Sequence, residues 1–139
     1  MFKKSIAGVV ISLGIVSSLN AEVLKQDMDA LESSLIAVQH GFLLNDKKTA
    51  LLLLADFKKN VNKVLGNKEK VISLLPKKLK NKSSIALNSG KMIDSYLQEI
   101  DSIANDKDLT PIKARIKAQE AFLNIQTQCF KCHNLVRDW

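Results

Sequence analysis

Two cysteines and a histidine near the end of the chain stand together as Cys129-Phe130-Lys131-Cys132-His133. This is the attachment pattern for c-type haem, in which both thiols become thioethers and the adjacent imidazole takes an axial position on the iron. On a helix, residues 129, 132 and 133 fall at i, i+3 and i+4, so all three point to one side. Histidine suits iron because neutral imidazole is a strong donor and its second ring nitrogen can be held by an acceptor. Other uses of the pair fit less well. A disulfide between i and i+3 of a helix has poor geometry. A thioredoxin-like pair needs a βαβ setting. Structural zinc needs a fourth ligand, and the only other histidine is His40. Two cysteines serving as small apolar core residues remain as an alternative, which gives His133 no role.

The elements that must position this motif read as helices. Beyond residue 21 the glycines are Gly41, Gly66 and Gly90, the prolines are Pro76 and Pro111, and no long stretch alternates apolar with polar. Apolar residues recur instead at spacings of three and four, in four stripes. The first predicted helix, 23–44, carries Leu24, Met28, Leu31, Leu35, Val38 and Phe42 and is closed by Asn45-Asp46. The second, 48–65, has Leu54, Phe57, Val61 and Val64 inside and stops at Gly66-Asn67. The third starts with Ser83 or Ser84 as N-cap and carries Ala86, Gly90, Ile93, Leu97, Ile100 and Ala104. The fourth starts with Thr110 as N-cap and Pro111 in its first turn, and carries Ala118, Phe122, Ile125, Cys129, Cys132 and Val136. The expected fold is therefore all-α: an antiparallel four-helix bundle with a long connection between helices two and three. That connection, 67–82, holds Val71, Ile72, Leu74, Leu75 and Leu79 around Pro76, which predicts a short helical piece. It also holds Lys68, Lys70, Lys77, Lys78, Lys80 and Lys82 against the single acid Glu69. These lysines read either as a solvated link or as a docking patch for an acidic redox partner.

Residues 1–21 read as a signal peptide. Lys3 and Lys4 precede an apolar run from Ile6 to Val16, and a small-residue and polar stretch ends at Ala21. The run is shorter than the roughly 20 residues that span a bilayer, so cleavage after Ala21 is expected rather than retention as an anchor. Residues 22–139 then form one haem-binding domain. Only Lys3 and Lys4 are lost from the charged set, so the formal charge falls from +7 to +5. The remaining lysines are dispersed and lack interleaved aromatics, which disfavours nucleic acid as a partner. Export and haem attachment together point to a bacterial periplasm.

A CxxCH motif near the C-terminal end of a four-helix chain, continued by Asn134-Leu135-Val136-Arg137, resembles the class II c-type cytochromes, the cytochrome c prime-like family. That family has an aromatic or apolar residue three after the histidine and a basic residue four after it, the places of Val136 and Arg137 here. The resemblance implies one covalent haem in a four-helix bundle, with Arg137 near its proximal side. It also implies a candidate homodimer through the first two helices. The run Leu51-Leu52-Leu53-Leu54 offers either such a surface or core within one bundle.

The sixth coordination position separates the functions. In an up-down-up-down bundle helix one neighbours helix four, so Met28 and Leu35, one heptad apart on the first stripe, are both candidates to face the iron. The family register implies Leu35, which cannot ligate and leaves the iron five-coordinate. Met28 would ligate through its thioether. His40 lies off the stripe and Met92 beside the third one, and both fit less well. Two functions follow: an electron carrier, or a five-coordinate protein that binds nitric oxide or carbon monoxide. An enzyme such as a peroxidase would need a distal acid–base residue, and the first stripe offers none.

Overall fold

A computed structural model describes residues 15–136, and side-chain environments from Glu22 to Leu135. Helix α1 spans Ile15–Leu43, α2 Lys47–Leu65, α3 Lys68–Leu74, α4 Ser83–Asn105 and α5 Pro111–Val136, with a 3-10 segment over Lys77–Lys82. The described residues contain no strand, as the periodicity predicts. None of their helices is long and apolar enough to cross a membrane. Helix α1 is already formed at Ile15, the first described residue, rather than starting near 23, and runs unbroken past Ala21. The connection contains α3, as its apolar residues around Pro76 predict.

The helix ends follow from local chemistry. After α1, Asn45 takes a positive φ of 56°, the left-handed conformation that asparagine tolerates better than most residues and that closes a helix. Asp46 then caps α2, accepting from the Thr49 N–H at 3.2 Å and the Thr49 hydroxyl at 2.6 Å. Asn67 caps α3 by accepting from the Lys70 N–H at 2.8 Å. Thr110 Oγ1 accepts from the Lys113 N–H at 3.4 Å, with Pro111 opening α5 as predicted. The expected serine cap of the third long helix is absent. Helix α4 continues directly from the 3-10 segment, and the Ser83 N–H already bonds the Lys80 carbonyl, so a side-chain cap is not needed there.

Helix α1 packs on α2, α4 packs on α5, and α2 against α4 joins the two pairs. Phe57, Ile125 and Val38 are fully buried in the main core, each contributing about 1.5–3 kcal/mol by burial. Two glycines permit close approaches between helices. A Cβ on Gly41 would lie 3.1 Å from the Ala50 Cα, and one on Gly90 would lie 2.8 Å from the Leu65 Cβ. The leucine run is largely absorbed within the chain: Leu54 is buried, Leu51 and Leu53 are half-buried, and Leu52 is exposed.

The buried line of α1 differs from the predicted stripe. Asp27, Leu31, Ser34, Val38 and Gly41 are buried, whereas Leu24, Met28, Leu35 and Phe42 are half-buried. The reason is the neighbour. Helix α1 presses against α2, so the line facing α2 is the better covered. Its other line turns toward α5, which it meets through the Phe42 and Phe122 rings, 5.4 Å apart. Nearer its N-terminal half, a cavity lies between the two helices.

Candidate functional site

Helix α5 carries the motif residues to one wall of this cavity. Cys129, Cys132 and His133 line it together, as the i, i+3, i+4 spacing predicts, and the exposed Phe130 lines it as well. Helix α1 supplies another wall with Leu24, Met28, Leu31, Leu35 and Ile36. Val64, Val71, Leu74, Leu75 and Ala86 supply the rest of the apolar lining. The cavity measures about 640 Å³, within the range of pockets that enclose a cofactor. Cys129 packs against the main core, while Cys132 joins Val71, Leu75 and Ala86 in a second cluster. The motif therefore sits where two apolar clusters meet.

Both cysteines are free thiols. The Cys129 thiol is pushed up to about 11, first by burial and then by the neighbouring Cys132. Burial also raises Cys132, against the hydrogen bond from the buried Ser89 hydroxyl. Both thiols are thus neutral at pH 7, and a neutral buried thiol packs as a small apolar group. Cys132 is buried, Cys129 and His133 are half-buried, and Phe130 and Lys131 are exposed.

Met28 and Leu35, the two candidates for the far side of the iron, both line the cavity. His40 is exposed on α1 and Met92 half-buried on α4, and neither lines it. Arg137 lies outside the described residues.

Several residues at the site escaped the sequence reading. Asp29 and Glu32 stand at the cavity mouth, exposed and beside the predicted stripe of α1. They lie off the stripe, which itself carries no acid–base residue. Their signal was the spacing 29, 32, 36, one residue along from Met28 and Leu35. Asp27, only 5% exposed, lies on the α2-facing line and pairs with Lys63 at 2.6 Å and Lys70 at 3.0 Å. Its carboxyl is held below its ordinary range, first by the Lys63 hydrogen bond and, against the cost of burial, by Lys70. The spacing 27, 31, 34, 38 carried this signal, hidden because an acid and a serine interrupt an apolar line. Two lysines of the connection also reach other helices. Lys70 binds Asp27, and Lys82 Nζ donates to the Leu135 carbonyl at 2.6 Å. Lys68, Lys77 and Lys80 remain exposed.

Haem would need apolar walls, two thiols and an imidazole rather than a cluster of convergent donors. The donor set fits that requirement: two neutral thiols and one imidazole on one wall, with a thioether and aliphatic groups on another. Among the described residues, no three Cys, His, Asp or Glu side chains converge to hold a bare metal ion. A second cavity of about 380 Å³, lined by Phe42, Leu54, Ile100, Ala118 and others, contains no thiol or imidazole. Its Lys47 and Arg115 are engaged by the Ala104 carbonyl and the Asn45 side chain.

No protein-family model matches this chain, and no curated protein or solved structure matches it either.

Proposed function

We propose that this chain is an exported c-type cytochrome that carries one covalent haem and serves in electron transfer. The observation that carries the reading is the cavity itself: Cys129, Cys132 and His133 on one wall and Met28 and Leu35 on another. The two cysteines would hold the haem through thioethers, and His133 would be its axial ligand. Haem supplies a one-electron ferric–ferrous couple. The mainly apolar walls would limit water around the haem, and the exposed edge of α5 at Phe130 and Lys131 leaves a short path to the surface. The four long helices are read as an antiparallel four-helix bundle of the class II cytochrome kind, with residues 1–21 as a cleaved signal peptide and the periplasm as the compartment. Lys68, Lys77 and Lys80 are the exposed cations for steering an acidic redox partner.

A second reading is supported by Leu35. If Leu35 rather than Met28 stands over the iron, the protein binds a small gas such as nitric oxide or carbon monoxide at a five-coordinate site. An absorption spectrum of the matured protein, reduced and then exposed to carbon monoxide, tests both. A low-spin reduced spectrum unmoved by carbon monoxide means a sixth protein ligand and an electron carrier. A high-spin spectrum that shifts favours gas binding. Absence of any haem that survives denaturing electrophoresis would sink both.

A further inference from the structure

The connection 68–82 is tied at both ends to helices that wall the cavity. In the first turn of α3, Lys70 Nζ donates to Asp27 Oδ2 at 3.0 Å and to the Lys63 carbonyl at 2.7 Å. This joins the connection to α1 and to the last turn of α2. At its other end, Lys82 Nζ donates to the Leu135 carbonyl at 2.6 Å, in the last turn of α5 and two residues beyond His133. Between the ties, Val71, Leu74 and Leu75 line the cavity. The segment therefore runs as a strap from the α1–α2 pair to the helix that bears the motif.

Asp27 is the unusual part of this arrangement. It occupies a core position of α1, in line with Leu31 and Val38, where an aliphatic side chain would bury without an electrostatic cost. A buried ion pair is seldom more stabilising than well-packed apolar residues, so stability gives little reason for it. What an ion pair adds is direction: a carboxylate accepts from lysines at set positions, whereas a leucine would let α3 slide. Lys63 and Lys70 come from different helices and meet on opposite oxygens of the same carboxylate.

We propose that Asp27 is a positioning residue: through Lys70 it fixes the 68–82 strap as a wall of the cavity and so sets how far the haem is shielded from water. This rests on the haem reading given above. The strap itself, however, can be tested with or without haem.

The test uses the full chain with two variants. In Lys70→Met the Asp27 carboxylate keeps Lys63, so no buried charge is orphaned and the fold is retained. In Asp27→Leu an apolar side chain takes the core position and both lysines, already partly exposed, return to water. Amide hydrogen exchange is expected to quicken about threefold to fivefold over 68–75 in both variants, with α4 unchanged, because the opening is local. In the haem-loaded protein the midpoint potential should fall in both, since water favours the more charged ferric state. The common sign is the discriminating result. Charge alone would move the potential down on losing Lys70 and up on losing Asp27. Opposite shifts, or exchange over 68–75 equal to wild type, would overturn the proposal, as would a uniform rise in exchange across α4 and α5. A wild-type chain that takes up no covalent haem would defeat the functional reading instead, while the exchange result still decides whether Asp27 holds the strap.

Discussion

Removing both cations from Asp27 should cost far more than the two single removals together. With Lys63→Met alone, the carboxylate keeps Lys70 at 3.0 Å; with Lys70→Met alone, it keeps Lys63 at 2.6 Å. The lysine side chains are 61% and 32% exposed, so each single contact is worth about 1 kcal/mol or less after screening by water. In the double variant a carboxylate that is 5% exposed has no cation left. Stranding a buried charge costs about 3–5 kcal/mol, a large share of the roughly 5–15 kcal/mol that holds such a domain. The melting temperature should then fall by about 10–20 °C in the double variant and by only about 2–5 °C in each single one. Adding Asp27→Leu to the double variant should recover most of the loss, because the stranded charge is gone. Urea or thermal unfolding followed by circular dichroism at pH 7 measures the four variants and the wild type. The pH dependence has a definite sign. The carboxyl of Asp27 is lowered in the folded state, chiefly by Lys63. Its contribution is therefore present above the unfolded pKa near 3.9 and is lost as pH falls through the lower folded value. The wild-type advantage over the double variant should accordingly shrink in acid. A double variant that loses no more than the sum of the singles, or that Asp27→Leu fails to rescue, would refute this account of the cluster.

Four further outcomes are expected. In protein expressed without haem, Cys129 should react with iodoacetamide at pH 8 about 200-fold more slowly than a free thiol, since a pKa of about 11 leaves on the order of one thiolate in a thousand; equal rates in the folded and urea-unfolded chain would contradict the burial. His133→Ala should lose proximal ligation while thioether-bound haem remains or matures poorly, and an absorption spectrum identical to wild type would refute the axial assignment. Met28→Leu should turn a low-spin reduced spectrum into one that shifts with carbon monoxide if Met28 is the sixth ligand, whereas an unchanged low-spin spectrum would exclude it. Gly90→Ala should destabilise by about 1–3 kcal/mol, despite the usual helix gain of about 1 kcal/mol, because the added Cβ meets the Leu65 Cβ at 2.8 Å rather than a flexible side-chain end. A raised melting temperature would show that α2 yields there.

Much of the fold was legible because its signals are local. Thr110-Pro111 marks the start of α5, and Asn45-Asp46 and Gly66-Asn67 mark the boundaries around α2, since caps and turns depend on residues within a few positions of each other. The start of α4 was misread for the same reason in reverse. Ser83 has the right chemistry for a cap, but the preceding 3-10 segment already supplies a partner for its N–H. On the site, the spacing of Cys129, Cys132 and His133 was sufficient to put them on one side of a helix, and they line one cavity.

The spacing of the chain's residues, by itself, determined that the protein is helical, where α2 and α5 begin, and which three residues share a wall. Those properties come from hydrogen bonds and side-chain directions within a few residues of one another. Only the tertiary structure decided which line of α1 is buried, because that depends on α2 standing closer to it than α5. The same packing gives Asp27 two lysines from separate helices and ties Lys70 to α1 and Lys82 to α5 from a connection that reads as solvated. Partners 43 and 53 positions apart leave no periodic trace. Periodicity records how a helix divides its own faces, and what meets each face is settled by the neighbours.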